Sequence, residues 1–175
     1  RSSVRIPPGT QTIDCTGLTI TAGFWNSHVH FLQRKWANAA TTAAAELDAQ
    51  LQAMLTQYGF TSVFDTWSMW ENTKKLRERI ESGEIRGPRI RSTGEAVFGT
   101  GIGIPPAQWA SFGFIPLEGF KTPRVADPAE SLAASKALRD AGVDGIKFSA
   151  ATPGSKPSIV PKSAIRAGVQ EAHSR

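Results

Sequence analysis

The stretch GFWNSHVHF, residues 23–31, places two of the chain's three histidines two positions apart within an apolar run. Its composition predicts a strand over residues 24–30. Side chains alternate across a strand, so His28 and His30 share one face, while the intervening side chains, mostly apolar, share the other. The apolar face suits a covering of helices. Both imidazoles are therefore expected to point to the opposite, interior side at the end of the strand.

Apolar runs alternate with helical patterns along the rest of the chain. Further strands are predicted over residues 61–65, 89–93 and 145–149. The spacing of Leu47, Leu51, Met54, Leu55 and Tyr58 predicts a helix that Gly59 ends, and a second helix is predicted over residues 71–82. The order βαβαβαβα implies parallel strands joined by right-handed crossovers.

Two further helices are predicted in the second half of the chain. The sequence DPAE, residues 127–130, is typical of a helix start, with Asp127 as the N-cap. This helix is expected to bury Leu132 and Leu138 and to end at Gly142. The last helix is expected to begin at Pro161, with Ile165, Val169 and Ala172 on its inner face.

A long connection rich in glycine and proline follows the third predicted strand, from residue 95 to residue 126. Connections of this length are usually lids or binding loops. It would lie at the carboxyl end of the sheet, where parallel α/β proteins place their sites. The sequence GTGIG at 99–103 resembles a phosphate-binding loop but lacks the established phosphate-loop spacings, so it is weak evidence for nucleotide binding.

The fourth predicted strand contains a lysine in an unexpected place. In DGIKFSA, residues 144–150, Ile146 and Phe148 occupy the helix-covered face, which puts Lys147 on the interior face. Burial lowers the pKa of a lysine, and a neutral amine can add carbon dioxide to become an anionic carbamate. The residues alone leave alternatives open: Lys147 could reach solvent or an acidic partner, and His28 and His30 could be hydrogen-bonded core histidines instead of ligands of one metal ion.

Composition excludes several classes of protein. The 175 residues carry a net charge of +5, but the basic residues are scattered, so no nucleic-acid partner is expected. No apolar run approaches the ~18 residues of a membrane span, so no membrane partner is expected either. Cys15 is the only cysteine and cannot form an intrachain disulfide. The compartment stays open, with the cytoplasm slightly favoured over a periplasmic or secreted location after removal of a signal peptide.

Five segments together resemble the metal-dependent amidohydrolase superfamily, and most closely its imidazolonepropionase-like and prolidase-like members. They are TITAGFWNSHVHF, YGFTSVFDT, SGEIRGPRIRSTGE, AGVDGIKFSA and AIRAGVQEAHSR. The resemblance implies a partial (β/α)8 barrel of about four βα units: residues 1–22 would end a small β-sandwich, and residues 23–175 would form the first half of the barrel. Four units cannot close a barrel, so the remainder is expected from a longer chain.

The resemblance also implies a chemistry. His28 and His30 would bind one of one or two divalent metal ions, usually zinc, and Lys147 would bridge two ions as a carbamate. The parent protein would hydrolyse amide or other C–N bonds of a small-molecule substrate and could form a homo-oligomer. The family's other ligands, from strands five, six and eight, lie beyond Arg175, and His173 is not expected to replace them.

Three residues at or just beyond the end of the second strand are candidates for the substrate pocket. Trp67 and Trp70 could form an apolar wall or could simply pack, and Asp65 could orient a ligand or cap the next segment. Two alternative functions remain: a truncated, non-catalytic remnant that binds metal weakly or not at all, and a phosphate- or nucleotide-binding α/β protein.

Overall fold

A computed structural model describes residues 4–101, 121–149 and 158–174. Most of the predicted lid loop, residues 102–120, lies outside these ranges, as does the second half of GTGIG. The described residues form a mixed α/β fold with parallel sheets and four α-helices, as the alternating pattern predicts.

The first half of the chain forms a three-stranded parallel sheet in the order β1-β2-β3. Its strands are β1 (Phe24–Val29), β2 (Phe60–Asp65) and β3 (Arg89–Ser92). Helix α1 (Ala44–Met54) connects β1 to β2, and α2 (Trp70–Glu81) connects β2 to β3. Apolar side chains between this sheet and the helices form the larger core, which includes Phe31, Trp36, Leu47, Leu51, Val63, Leu76 and Ile90.

The second half forms another three-stranded parallel sheet, in the order β5-β4-β6. Its strands are β4 (Val97–Gly99), β5 (Arg124–Val125) and β6 (Phe148–Ser149). Here the prediction of four strands is wrong in two respects: β4 and β5 lie in the segment expected to be a loop, and the strand expected over 145–149 is reduced to two residues. Both added strands are too short to show a periodic pattern in the sequence.

The predicted helix boundaries agree with the structure to within a few residues. Helix α3 spans Pro128–Ala141, and the carboxylate of Asp127 accepts from the Glu130 amide at 2.9 Å. Gly59 and Gly142 both adopt positive φ after a helical segment, where a side chain would be strained. Helix α4 spans Lys162–Ala172, with Pro161 at its N-cap.

The inner faces of α3 and α4 differ from the prediction. Leu138 is buried, but Leu132 is 46% exposed and Val169 is 39% exposed. The two helices instead pack through small side chains, with Ser131, Ser135, Ala164 and Gly168 all buried. Close approach of the helices therefore determines which face is buried, and Leu132 and Val169 are turned toward solvent.

We expect Gly168→Ala to destabilise the fold by about 1–3 kcal/mol, despite the higher helix propensity of alanine. An added Cβ would lie 2.8 Å from the Ser131 hydroxyl and 2.7 Å from the Ser135 hydroxyl, and would also press on the Phe148 ring. Urea unfolding measures the change. The exposed substitution Ser163→Ala on the same helix is the control and should leave stability nearly unchanged; equal midpoints for both variants would contradict the packing argument.

Residues 4–23 contain turns but no strand. Most side chains of this segment are exposed, and no neighbouring strand among the described residues pairs with its backbone. Its assignment to a β-sandwich domain, like closure of the barrel, remains a prediction. Across the described ranges, no helix combines the length and apolar character that crossing a membrane requires.

Candidate metal centre

The carboxyl ends of β1, β2 and β3 meet at one edge of the first sheet. Val29 is paired with Asp65, and Asp65 is paired with Ser92. His28 is the second-to-last residue of β1, and His30 directly follows the strand. Both imidazoles turn to the same side, as predicted, but His28 is exposed and only His30 is partly buried. Their Nε2 atoms are 3.2 Å apart, and their ring centroids are separated by 5.0 Å.

Hydrogen bonding orients the His30 ring. Its Nδ1 lies 3.2 Å from the carbonyl oxygen of Trp67. Burial, the charge of Lys147 and the neighbouring His28 lower the pKa of His30 to about 4. His30 is therefore neutral at physiological pH, which is the form that binds a metal ion.

Lys147 lies near this pair, close enough for its charge to affect the pKa of His30. Its Nζ donates to the Thr66 hydroxyl at 3.4 Å. Burial lowers the pKa of Lys147, and the Asp65 carboxylate acts in the opposite direction. The lysine is thus directed to the interior side and partly withdrawn from water, as the alternation in DGIKFSA predicts.

The two imidazoles fit a zinc ion. Zinc–nitrogen bonds of about 2.0–2.1 Å in tetrahedral geometry put two ligand nitrogens roughly 3.3 Å apart. The observed separation of 3.2 Å between the Nε2 atoms matches that spacing. A complete ligand set is not found: within the ranges the structure describes, no three His, Cys, Asp or Glu side chains are grouped to hold a metal.

Asp65 is fully buried at the end of β2. Its Oδ2 accepts from the hydroxyls of Ser68 and Ser92, each at 2.5 Å. Its Oδ1 accepts from the backbone amides of Phe31 at 3.4 Å and Trp67 at 3.3 Å. Burial raises the pKa of Asp65 to about 6. The four hydrogen bonds that the carboxylate accepts act in the opposite direction and lower the pKa, but burial has the larger effect.

No protein-family model matches the chain. No curated protein sequence matches it either. Solved structures do match. A prolidase in complex with N-methylphosphonate-L-proline is 25% identical, with a TM-score of 0.64 over 98% of this chain and 45% of that one. A protein of Bifidobacterium longum assigned as a prolidase is 26% identical, with a TM-score of 0.63 over 98% of this chain and 37% of that one.

The chain resembles the prolidase-like amidohydrolases. The resemblance expected from the sequence motifs is thereby confirmed. Molinate hydrolase, at 22% identity and a TM-score of 0.67, supports the same fold over 97% of this chain and 43% of its own. The amidohydrolase-like chain spans less than half the length of the solved structures it matches.

The two tryptophans proposed for the substrate pocket, Trp67 and Trp70, occupy different surroundings. Trp67 packs against Phe98, with ring centroids 5.0 Å apart, and against the edge of His30 at 6.2 Å. Trp70 is buried, and its indole donates to the Ala141 carbonyl at the end of α3. Trp67 thus borders the candidate metal centre, whereas the contacts of Trp70 favour the packing alternative.

The first two glycines of GTGIG permit close packing of backbones. A side chain at Gly99 would strike the Ile159 carbonyl, and one at Gly101 would lie 2.5 Å from the Ser158 Cα. The Arg124 guanidinium donates to both glycine carbonyls, at 3.0 and 3.1 Å. The Gly101 amide donates to the Ser158 hydroxyl at 3.3 Å, so this amide is not free to bind an anion.

Sequence reasoning missed the polar residues that surround the candidate centre. Thr66 contacts Lys147, and the hydroxyls of Ser68 and Ser92 bind Asp65. The one available signal was position, because each of these residues lies at or just after the end of a predicted strand, where parallel sheets gather functional side chains.

Proposed function

We propose that the parent protein is a metal-dependent hydrolase of amide or related C–N bonds. The observation that carries the proposal is the 3.2 Å approach of the His28 and His30 Nε2 atoms beside Lys147, at the carboxyl edge of a parallel sheet. Two of the matched structures are described as prolidases, which makes Xaa-Pro dipeptides the first substrates to examine.

In this proposal His28 and His30 hold one divalent ion, with zinc favoured by the nitrogen ligands and their spacing. A bound ion of this kind polarises a carbonyl group and lowers the pKa of water. The chain's own residues prepare the site. The Trp67 carbonyl orients His30, and the Trp67 ring shields one side of that imidazole from water.

Lys147 contributes as a carbamate. Burial lowers the pKa of its ammonium group, so a larger share of the side chain is the neutral amine. The amine nitrogen forms a bond to the carbon of CO2 and releases one proton to solvent, which leaves an anionic group with two oxygen atoms. Such a group can bridge two divalent ions, so the proposal includes a site for one or two metals.

The full-length chain tests this function with and without zinc. We expect the zinc-loaded protein to hydrolyse at least one member of a panel of Xaa-Pro dipeptides, N-acyl amino acids and cyclic amides, and chelator treatment to abolish turnover. Lys147→Ala should lower turnover by more than about 100-fold, since loss of even an outer-shell partner costs 10–100-fold. The exposed Lys136→Ala is the control, and labelled CO2 should give a carbamate carbon signal in the wild type that Lys147→Ala lacks.

The alternatives give distinct results in the same experiment. Zinc binding without turnover on any substrate would favour a non-catalytic remnant. Protection from thermal unfolding by phosphate, but not by zinc, would favour the phosphate-binding alternative. Equal metal content and turnover in the wild type and Lys147→Ala would defeat the proposed role of the lysine.

A further inference from the structure

The tautomer of His30 follows from its contact with Trp67. A carbonyl oxygen can only accept a hydrogen bond, so the 3.2 Å contact requires His30 Nδ1 to be the donor. In a neutral ring the proton then resides on Nδ1, and Nε2 carries a lone pair. That nitrogen is the one that faces His28. The orientation of one backbone carbonyl thus determines which ring nitrogen can bind a metal ion.

The Trp67 peptide is itself held by Asp65. The Asp65 Oδ1 atom accepts from the Trp67 amide at 3.3 Å and from the Phe31 amide at 3.4 Å. Phe31 directly follows His30, and Trp67 supplies the carbonyl that binds His30. One carboxylate oxygen therefore joins both backbone segments that fix the position of the imidazole.

The other oxygen of Asp65 is anchored in the opposite direction. Ser68 and Ser92 donate to Oδ2, and these hydroxyls in turn accept from Thr73 at 2.8 Å and from the Gly94 amide at 2.9 Å. Both serine protons are thus directed at Asp65. The carboxylate cannot rotate without breaking its bonds to Ser68 and Ser92, so it is a rigid acceptor.

We propose that Asp65 is a positioning residue, which holds His30 in the tautomer protonated on Nδ1 and directs its Nε2 toward the metal position beside His28. This role rests on the proposed function, because His30 needs a defined tautomer only if it binds a metal ion. It assigns Asp65 to the support of a ligand through backbone groups and not to direct contact with substrate.

The test measures the His30 ring nitrogens in the metal-free full-length protein, with ¹⁵N-labelled histidine and two-bond ¹H–¹⁵N correlation spectra. The signals that disappear in His30→Gln belong to His30, so this variant assigns them in the full-length spectrum. We expect a protonated Nδ1 and an unprotonated Nε2 at His30. Asp65→Ala should shift the ring toward a mixture of tautomers and should weaken zinc binding by about tenfold in a chelator competition.

Matched variants separate positioning from general destabilisation. Asp65→Asn retains an oxygen that can accept from both amides, so it should keep the wild-type tautomer. Ser92→Ala removes a donor from Oδ2 only and should also keep it. Asp65→Ser, whose hydroxyl is too short to bridge both amides, replaces Asp65→Ala if the alanine variant does not fold.

Three results would overturn the inference: Nε2 protonated at His30 in the wild type, an unchanged tautomer in Asp65→Ala or Asp65→Ser, or an altered tautomer in Asp65→Asn. Failure of the proposed function looks different. In that case zinc does not bind to the wild type, while the tautomer in the metal-free protein is still as expected.

Discussion

Replacing His30 with alanine should lower the affinity of the full-length chain for zinc by more than about 100-fold. The His30 Nε2 atom lies 3.2 Å from the His28 Nε2 atom, the separation expected of two ligands on one ion. Removal of an outer-shell partner already costs 10–100-fold, so loss of a direct ligand should exceed that range. Competition with a chromophoric chelator measures the affinity at neutral pH.

The third histidine provides a matched control for this experiment. His173 is exposed at the end of α4, far along the chain from the candidate centre. His173→Ala should therefore bind zinc as tightly as the wild type, and His28→Ala should be as impaired as His30→Ala. If all three variants retain the wild-type affinity, these imidazoles do not form the metal site.

The second large effect concerns the pH dependence of stability. Asp65→Asn should lose stability more steeply than the wild type as the pH falls from about 6 to 4 in metal-free protein. Burial raises the pKa of Asp65 from 3.8 to about 6. The folded state therefore takes up this proton at a higher pH than the unfolded state, so acid stabilises the fold. At about 1.4 kcal/mol per pKa unit, the wild type gains about 3 kcal/mol that the variant cannot gain.

His30 acts with the opposite sign. Its pKa falls from 6.5 to about 4 in the folded protein, so the unfolded state takes up this proton first and acid destabilises the fold below pH 6.5. His30→Gln should therefore be less sensitive to acid than the wild type. In the wild type the two effects oppose each other between pH 4 and 6, which should give a shallow profile.

Urea unfolding at pH 4, 5, 6 and 7 measures these profiles. The exposed substitution His173→Gln should follow the wild-type curve. Profiles that run parallel for the wild type, Asp65→Asn and His30→Gln would show that neither buried group has the shifted pKa on which this prediction depends.

Structural features that depend only on residues close together in the chain could be predicted from the sequence. The alternation of a strand is local, so residues 24–30 alone predict that His28 and His30 face the same side. Helix termini are also local. The carboxylate of Asp127 and the left-handed glycine at 142 act within a few residues of the ends they define. The motif resemblance rests on the same short segments.

Burial of helix faces was only partly predictable, because it depends on how closely two helices approach. The periodicity of α3 and α4 is compatible with several inward faces. The pair selects the one with Ser131, Ser135 and Gly168, which permits contact closer than Leu132 and Val169 would allow. Similarly, β4 and β5 exist because distant segments pair, and neither has a local signal.

By itself, the sequence of this protein determined the alternating α/β pattern, the helix ends and the shared face of the two imidazoles, since each depends on interactions within a few residues. Only the tertiary structure decided what surrounds them. The His30 contact with Trp67 spans 37 residues of sequence, and that of Lys147 with Thr66 spans 81. Contacts across such distances form when strand ends meet at one edge of a sheet, and no local pattern records which polar side chains will then be neighbours.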